Sequence, residues 1–248
     1  MNVRDLLRLI KKNRILKLIS KKLMKVVPII QRAYIFRTYF RQPYSDSLLE
    51  RNVIFVHVPK TAGNGIVKSL FGGYDELNHF TIHDFKKINK NYFAEAYKIG
   101  FVRNPWDRLV SAFFYLKQGG SSPLDQEFRK KYLKDITFEE FVYKLKENSY
   151  RNKIFKWVHF TPQHKFLCND QGEIQVDYLG RYETLTNDFE NLKMVFQIPN
   201  IRLDKHNTSK HKDYWDYYNY EMMKIVEEVY KDDVEIFKYR FPSQNINC

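Results

Sequence analysis

Cysteine is nearly absent: the 248-residue chain has two, Cys168 and Cys248. Two thiols so far apart form neither a disulfide framework nor a zinc-ligand spacing, so a reducing compartment is the expected setting. No apolar run approaches the roughly 18–20 residues that cross a bilayer. Lys and Arg recur every few residues through the N-terminal stretch and interrupt any secretory-type apolar core. Glycine and proline are sparse, 9 and 8 residues, and the chain has no internal repeat and no low-complexity segment. The triphosphate-loop pattern G-x-x-x-x-G-K-[ST] is also missing, which weakens a nucleotide kinase reading.

What is present describes a globular chain, 44% hydrophobic, 17% aromatic and 29% charged. The formal net charge of +13 invites a nucleic-acid reading, but its distribution argues otherwise. Residues 1–50 hold 12 Lys/Arg against 3 Asp/Glu, an excess of +9, which leaves +4 for the other 198 residues. Within residues 4–32, Leu6, Leu7, Leu9, Ile10, Ile15, Leu16, Leu18 and Ile19 alternate with Arg8, Lys11, Lys12, Lys17, Lys21 and Lys22 at helix-like intervals, up to Pro28. Residues 1–50 therefore read as a basic amphipathic extension and 51–248 as the folded domain. The extension either packs on the domain or, through residues 1–30, touches an anionic membrane surface. The setting this implies is cytoplasmic, at the inner face of the membrane in the second case, with no nucleic-acid partner.

The domain alternates strands and helices. Val53–Val58 reads as a buried strand, followed by a loop from Pro59 to Gly65 and a helix from Ile66 to Phe71 closed by Gly72-Gly73. Tyr97–Val102 is a second strand, and Pro105 opens a helix to about Leu116. Thr137 and Glu140 form a capping-box pattern before a helix to about Lys146. A strand over Val176–Arg181, a helix from Asn187 to Phe196 and a last helix from Asn219 or Tyr220 to near Tyr230 complete the pattern. The fold class expected is α/β: a three-layer domain with a central parallel sheet and a P-loop-like phosphate-binding loop.

A strand that feeds a small-residue loop and then a helix N-terminus is a cradle for an anion, because free backbone N–H groups converge there and the helix dipole adds positive potential. Gly63 and Gly65 let the backbone approach a ligand closely, and Lys60 adds a full charge at the mouth. The lysine precedes the glycines and no Mg²⁺-binding carboxylate motif lies nearby, so the expected transfer uses no metal. Arg103 leaves a strand at its carboxyl end, where ligands of open α/β sheets bind, and its planar fork suits phosphate oxygens. Ser111, eight residues on, lies about two turns into the following helix. Asp107 and Arg108 read as structural and Trp106 as a core residue.

Val56-His-Val-Pro-Lys-Thr-Ala-Gly-Asn-Gly65 resembles the 5′-phosphosulfate loop of sulfotransferases, and Phe101-Val-Arg-Asn-Pro-Trp-Asp-Arg-Leu-Val-Ser111 their 3′-phosphate segment. The resemblance is to the branch that holds carbohydrate sulfotransferases and heparan sulfate 2-O-sulfotransferase. It continues through Pro162-Gln163, Val176–Glu183 with Asp188-Phe189, His206–Lys210, Tyr214 and Ile225–Tyr230, and so covers about residues 51–242. It implies a donor, 3′-phosphoadenosine-5′-phosphosulfate (PAPS), and a carbohydrate acceptor such as a cell-surface polysaccharide or glycolipid. Lys60 then matches the lysine on the phosphosulfate. Thr61, Ala62, Gly63, Asn64 and Gly65 match the loop around the 5′-phosphate, and Arg103 and Ser111 the pair on the 3′-phosphate. Arg181, Ser209 and Lys210 fall where such enzymes complete the nucleotide pocket. The alternatives are a phosphate- or nucleotide-binding protein without transfer chemistry, and a nucleotide kinase.

Sulfuryl transfer needs a base for the acceptor's proton, and histidine is the natural candidate. His79-Phe-Thr-Ile-His-Asp-Phe85 resembles the segment that carries the catalytic histidine of the 2-O-sulfotransferase branch. His79 aligns with that residue, although Leu77 stands where the family can place a first histidine. His83 is the second candidate and, four residues on, shares a face with His79 if one helix holds both. His57, inside the apolar strand, reads as a core residue. His159, His164, His206 and His211 are the other histidine candidates by residue type, and Gln163 and Glu183 are further acceptor-side candidates.

Overall fold

The computed structural model describes residues 27–29, 31, 44, 46–72, 78–203 and 213–242. The amphipathic stretch before Val27, His206, Ser209, Lys210, His211 and Cys248 lie outside the described residues.

Three parallel strands form the sheet: β1 (Val53–Val56), β2 (Tyr97–Val102) and β3 (Tyr178–Arg181), with β2 in the middle. Val53 pairs with Tyr97 and Ile99 with Tyr178, so all three strands point their carboxyl ends the same way. Side chains alternate between the two faces with the period of a strand. Ile54, Val56 and Val102 enter one core with Trp106, Val110 and Phe113. Val53, Phe55, Ile99 and Phe101 enter the other with Ile66, Leu70, Phe189 and Leu192. Helices cover both faces, which gives the α/β layering expected from the alternation of elements.

In chain order the helices are α1 (Asp46–Leu49), α2 (Gly63–Phe71), α3 (Ile82–Ile88), α4 (Lys90–Glu95), α5 (Pro105–Lys117), α6 (Pro123–Phe128), α7 (Phe138–Lys144), α8 (Asn148–Ile154), α9 (His164–Leu167), α10 (Leu185–Val195), α11 (Tyr220–Val229) and α12 (Lys231–Ile236). Their starts are chemically legible. Asn104 accepts from the Trp106 N–H with Pro105 at the first turn, and Thr81, Ser122 and Thr137 each close a reciprocal capping box. Some boundaries differ from the sequence expectation. β1 stops at Val56 because the chain turns, the Val58 N–H donating back to the Val56 carbonyl at 3.1 Å. α2 begins at Gly63 rather than Ile66, so the glycines belong to its first turn.

Part of the segment before residue 51 joins this body. Ile29 and Leu48 are buried in the two cores, and the Tyr44 hydroxyl donates to the Phe85 carbonyl at 3.0 Å.

Candidate active site

The loop between β1 and α2 sits at the carboxyl end of the sheet. Lys60 and Ala62 both have positive φ, 72° and 65°, a conformation that costs a side-chain-bearing residue about 1–2 kcal/mol. The surroundings hold it there. The Thr61 hydroxyl, fully buried, donates to the Val58 carbonyl at 2.8 Å. Arg108 donates from Nε to the Pro59 carbonyl at 3.0 Å, and Arg103 from Nη1 to the Lys60 carbonyl at 3.1 Å. Three successive loop carbonyls are thus occupied by the protein. The α2 N-terminus has no side-chain cap at Ala62, so its first N–H groups are not consumed by a capping side chain. The strand–loop–helix arrangement is the one expected from the sequence, with uncapped N–H groups at the start of α2.

Gly63 has a more specific reason than ligand approach. A Cβ there would stand 2.4 Å from Cδ2 of His57 and 2.8 Å from its Nε2, so the histidine ring occupies the space a side chain would need. Asn64 is exposed at the mouth and Gly65 half-buried.

Lys60 is half-buried and its ammonium lies 4.1 Å from the Tyr115 ring centroid. Burial lowers its pKa from 10.5 to about 8, the nearby Arg103 and Arg108 charges add to the lowering, and Asp125 opposes it. Arg103 is held by Asp107, which accepts from Nε at 2.7 Å and from Nη2 at 2.8 Å, and its guanidinium stacks 3.8 Å from the Tyr182 ring centroid. With Lys60 also engaged, three of its five N–H groups are used inside the protein. Ser111 is buried on α5, on the same helix as Arg108. Arg108 is itself nearly inaccessible and spans from the loop to the Thr161 carbonyl, 2.9 Å from Nη2. Arg181 turns toward the C-terminal segment, donating to the Phe237 carbonyl at 2.8 Å and lying over the Tyr239 ring.

Several acceptor-side candidates are framework residues. Gln163, fully buried, accepts from the Arg103 N–H at 2.9 Å and donates to the Arg103 carbonyl at 2.8 Å. Its own N–H and that of His164 go to the buried Asp233, which also takes the His164 ring at 2.8 Å. Glu183 accepts from the Asn104 N–H at 2.6 Å and the Tyr239 hydroxyl at 2.9 Å.

The two histidines of the 79–85 segment do not share a helix face. α3 starts at Ile82 with Thr81 as its cap, so His79 lies on the approach and His83 in the first turn. His83 is half exposed and 3.7 Å from Asp170. His79 faces the loop: its Nδ1 is 3.0 Å from the His57 carbonyl and its ring 4.4 Å from the His57 ring. A carbonyl only accepts, so in the neutral ring Nδ1 carries the proton and Nε2 is the basic nitrogen. Beyond it stand His159, a candidate by residue type alone, and Asp125, which no motif singled out. The His159 ring lies 5.9 Å from that of His79 and 5.0 Å from that of Tyr115, and its Nε2 is 3.6 Å from Oδ1 of Asp125. The signal for Asp125 is the capping-box helix start Ser122-Pro-Leu-Asp125, in which it is the third helical residue after the cap. His159 stands in an aromatic stretch that carries no signal.

Among the described residues no group of His, Cys, Asp and Glu is arranged to hold a metal ion. No described helix is long and apolar enough to cross a membrane. The model of the Sulfotransferase family matches residues 49–240. That is most of the chain, and the protein belongs to this family. No curated protein and no solved structure matches it.

Proposed function

We propose that this member of the sulfotransferase family transfers a sulfuryl group from PAPS to a hydroxyl of a carbohydrate, with the donor bound at the β1–α2 loop and His79 as the base. The observation that carries the reading is that one strand end holds both halves of the chemistry. β1 runs directly into the loop of Lys60, and the carbonyl of His57, the first residue past β1, fixes the tautomer of His79. In this reading the α2 N–H groups and Lys60 receive the 5′-phosphosulfate, while Arg103, just past the end of β2, and Ser111, two turns into α5, receive the 3′-phosphate. Arg181 belongs to the same region through β3.

In the transfer, Nε2 of His79 takes the acceptor's hydroxyl proton as the acceptor oxygen bonds to sulfur. The bond from sulfur to the bridging phosphate oxygen breaks, and the electron pair stays on that oxygen. Lys60 and the helix N-terminus meet the charge that builds there. No step requires a metal.

The test is incubation of the full chain with ³⁵S-labelled PAPS and a panel of glycans, beside Lys60→Ala. Labelled glycan made by the wild type and lost in the variant supports the reading. PAPS binding without transfer to any hydroxylated acceptor replaces it with that of a nucleotide-binding protein, and ATP- and Mg²⁺-dependent turnover with that of a kinase.

A further inference from the structure

The sheet ladder stops one residue short of Arg103. Its last pairs are Val56 with Gly100 on one side of β2 and Val102 with Arg181 on the other. Arg103 lies past both and is nonetheless buried, where an unpaired peptide group is costly. The Gln163 side chain stands in for the missing strand. Its amide carries the donor and the acceptor of a peptide and uses both: Oε1 accepts from the Arg103 N–H at 2.9 Å, and Nε2 donates to the Arg103 carbonyl at 2.8 Å. An N–H only donates and a carbonyl only accepts, so the pairing also fixes which end of the amide is which. Two bonds to one residue set its tilt as well as its distance. Gln163 is held in turn from α12. It is completely buried, and so is Asp233 in the first turn of that helix. Oδ2 of Asp233 accepts from the Gln163 N–H at 2.7 Å, and Oδ1 from the His164 N–H and the His164 ring Nδ1, both at 2.8 Å. Three N–H groups on its two oxygens offset the cost of burying this carboxylate.

We propose that Gln163, held by Asp233, is a positioning residue that aims Arg103 at the 3′-phosphate and so gives the site its preference for a 3′-phosphorylated nucleotide. The inference rests on the role of Arg103 proposed above. Hydrogen bonds join each step from Asp233 through Gln163 to the Arg103 backbone. The Arg103 side chain is already tied to Asp107, the Lys60 carbonyl and the Tyr182 ring, and two of its five N–H groups remain outside those bonds. With the side chain so fixed, the direction of those two N–H groups follows the backbone that Gln163 holds. The next residue is treated alike: the Asn104 N–H donates to Glu183 at 2.6 Å, and its side chain donates to the Arg240 carbonyl at 3.2 Å. A residue that only filled the core at position 163 would need neither end of the amide, and methionine would serve equally.

The test is calorimetric titration of the full chain with adenosine 3′,5′-bisphosphate and with adenosine 5′-phosphate, which differs only in lacking the 3′-phosphate. The wild type should prefer the bisphosphate, and Arg103→Ala should abolish the preference. Gln163→Met keeps the length of the side chain and removes both bonds to Arg103. It is expected to lose about tenfold or more in bisphosphate affinity, the scale on which removing the partner of a ligating group acts. Its affinity for the monophosphate should stay at the wild-type value. Should circular dichroism show that variant unfolded, Asp233→Asn is the second: it keeps one oxygen, sets an amide N–H against the remaining donors, and should narrow the same preference. A folded variant with the wild-type preference overturns the proposal. So does one that loses affinity for both ligands equally, the mark of a purely structural role. A wild type without preference, or an Arg103→Ala that retains it, overturns the role of Arg103 in donor binding, and the inference falls with it.

Discussion

At Lys60 opposing effects meet in one side chain. Burial and two arginines remove its proton, Asp125 helps retain it, and the balance leaves a pKa of about 8. A group in that range is charged at neutral pH yet titrates within reach of an ordinary assay. The transfer rate is therefore expected to fall as pH rises through about 8, because deprotonated Lys60 no longer meets the charge on the leaving oxygen. A pH–rate profile at saturating donor checks this, and an alkaline limb that begins only near the ordinary lysine value speaks against it. Lys60→Ala should retain the wild-type melting temperature and lose kcat more than donor affinity, since the charge is needed most in the transition state. At the other end of the reaction, His79→Ala should bind donor normally and lose ~10²–10⁴ in rate, as base removal does. The acid limb of the profile should vanish with it. His83→Ala, altered at a half-exposed position by Asp170, should keep most of the activity. The reverse result would move the base to His83.

At the scale of elements, the site is one helix holding a loop. α5 sends Arg103, just before its start, and Arg108 to two consecutive carbonyls of the β1–α2 loop. Arg108→Met keeps the stem and removes the fork, leaving the Pro59 and Thr161 carbonyls without their donors. Each such loss costs about 1–3 kcal/mol. Chemical denaturation should show the drop in stability, and donor affinity should fall with it although Arg108 is buried. The loop also depends on Gly63 fitting beneath His57. Gly63→Ala drives a Cβ into that ring and should destabilise by ~1–3 kcal/mol, and His57→Ala in the same chain should recover part of the loss. Additive losses in the double mutant would remove His57 as the reason for Gly63. How much of this was readable follows the same lines. β1 with its loop and α2, and β2 with Arg103 and α5, are consecutive in the chain, so pattern and capping residues announce them within a few positions. The pairing of Gln163 with the backbone of Arg103 spans 60 residues, and that of His159 with Asp125 spans 34. No local rule carries a contact of that kind. His164 and Glu183 look like acid–base candidates in the sequence, and only the fold shows Asp233 and Asn104 using them as framework.

At the scale of the whole molecule, the charge is divided unevenly. Residues 1–26 carry nine Lys/Arg and one Asp, more than half of the net +13. We propose that this segment, rich in Leu and Ile at helical spacing, contacts an anionic membrane surface, where apolar burial would add to charge attraction of roughly 1 kcal/mol for each basic residue near it. The body behind it has its own reason to begin earlier than residue 51, since Ile29 and Leu48 are buried in its cores and Tyr44 is tied to Phe85. A deletion meant to remove only the basic segment should therefore stop at residue 26. That variant is expected to keep its melting temperature and its transfer to a soluble acceptor, while its binding to phosphatidylserine vesicles falls at low salt. Wild-type binding to the same vesicles should weaken as salt rises from 0.05 to about 0.5 M, because the Debye length shrinks well below 10 Å over that range. Deletion through residue 30 takes Ile29 as well. It should lower the melting temperature, which separates loss of the membrane contact from loss of core packing. Vesicle binding that survives removal of residues 1–26 would mean that the segment does not supply the membrane contact, and the basic surface of the folded body would become the place to look.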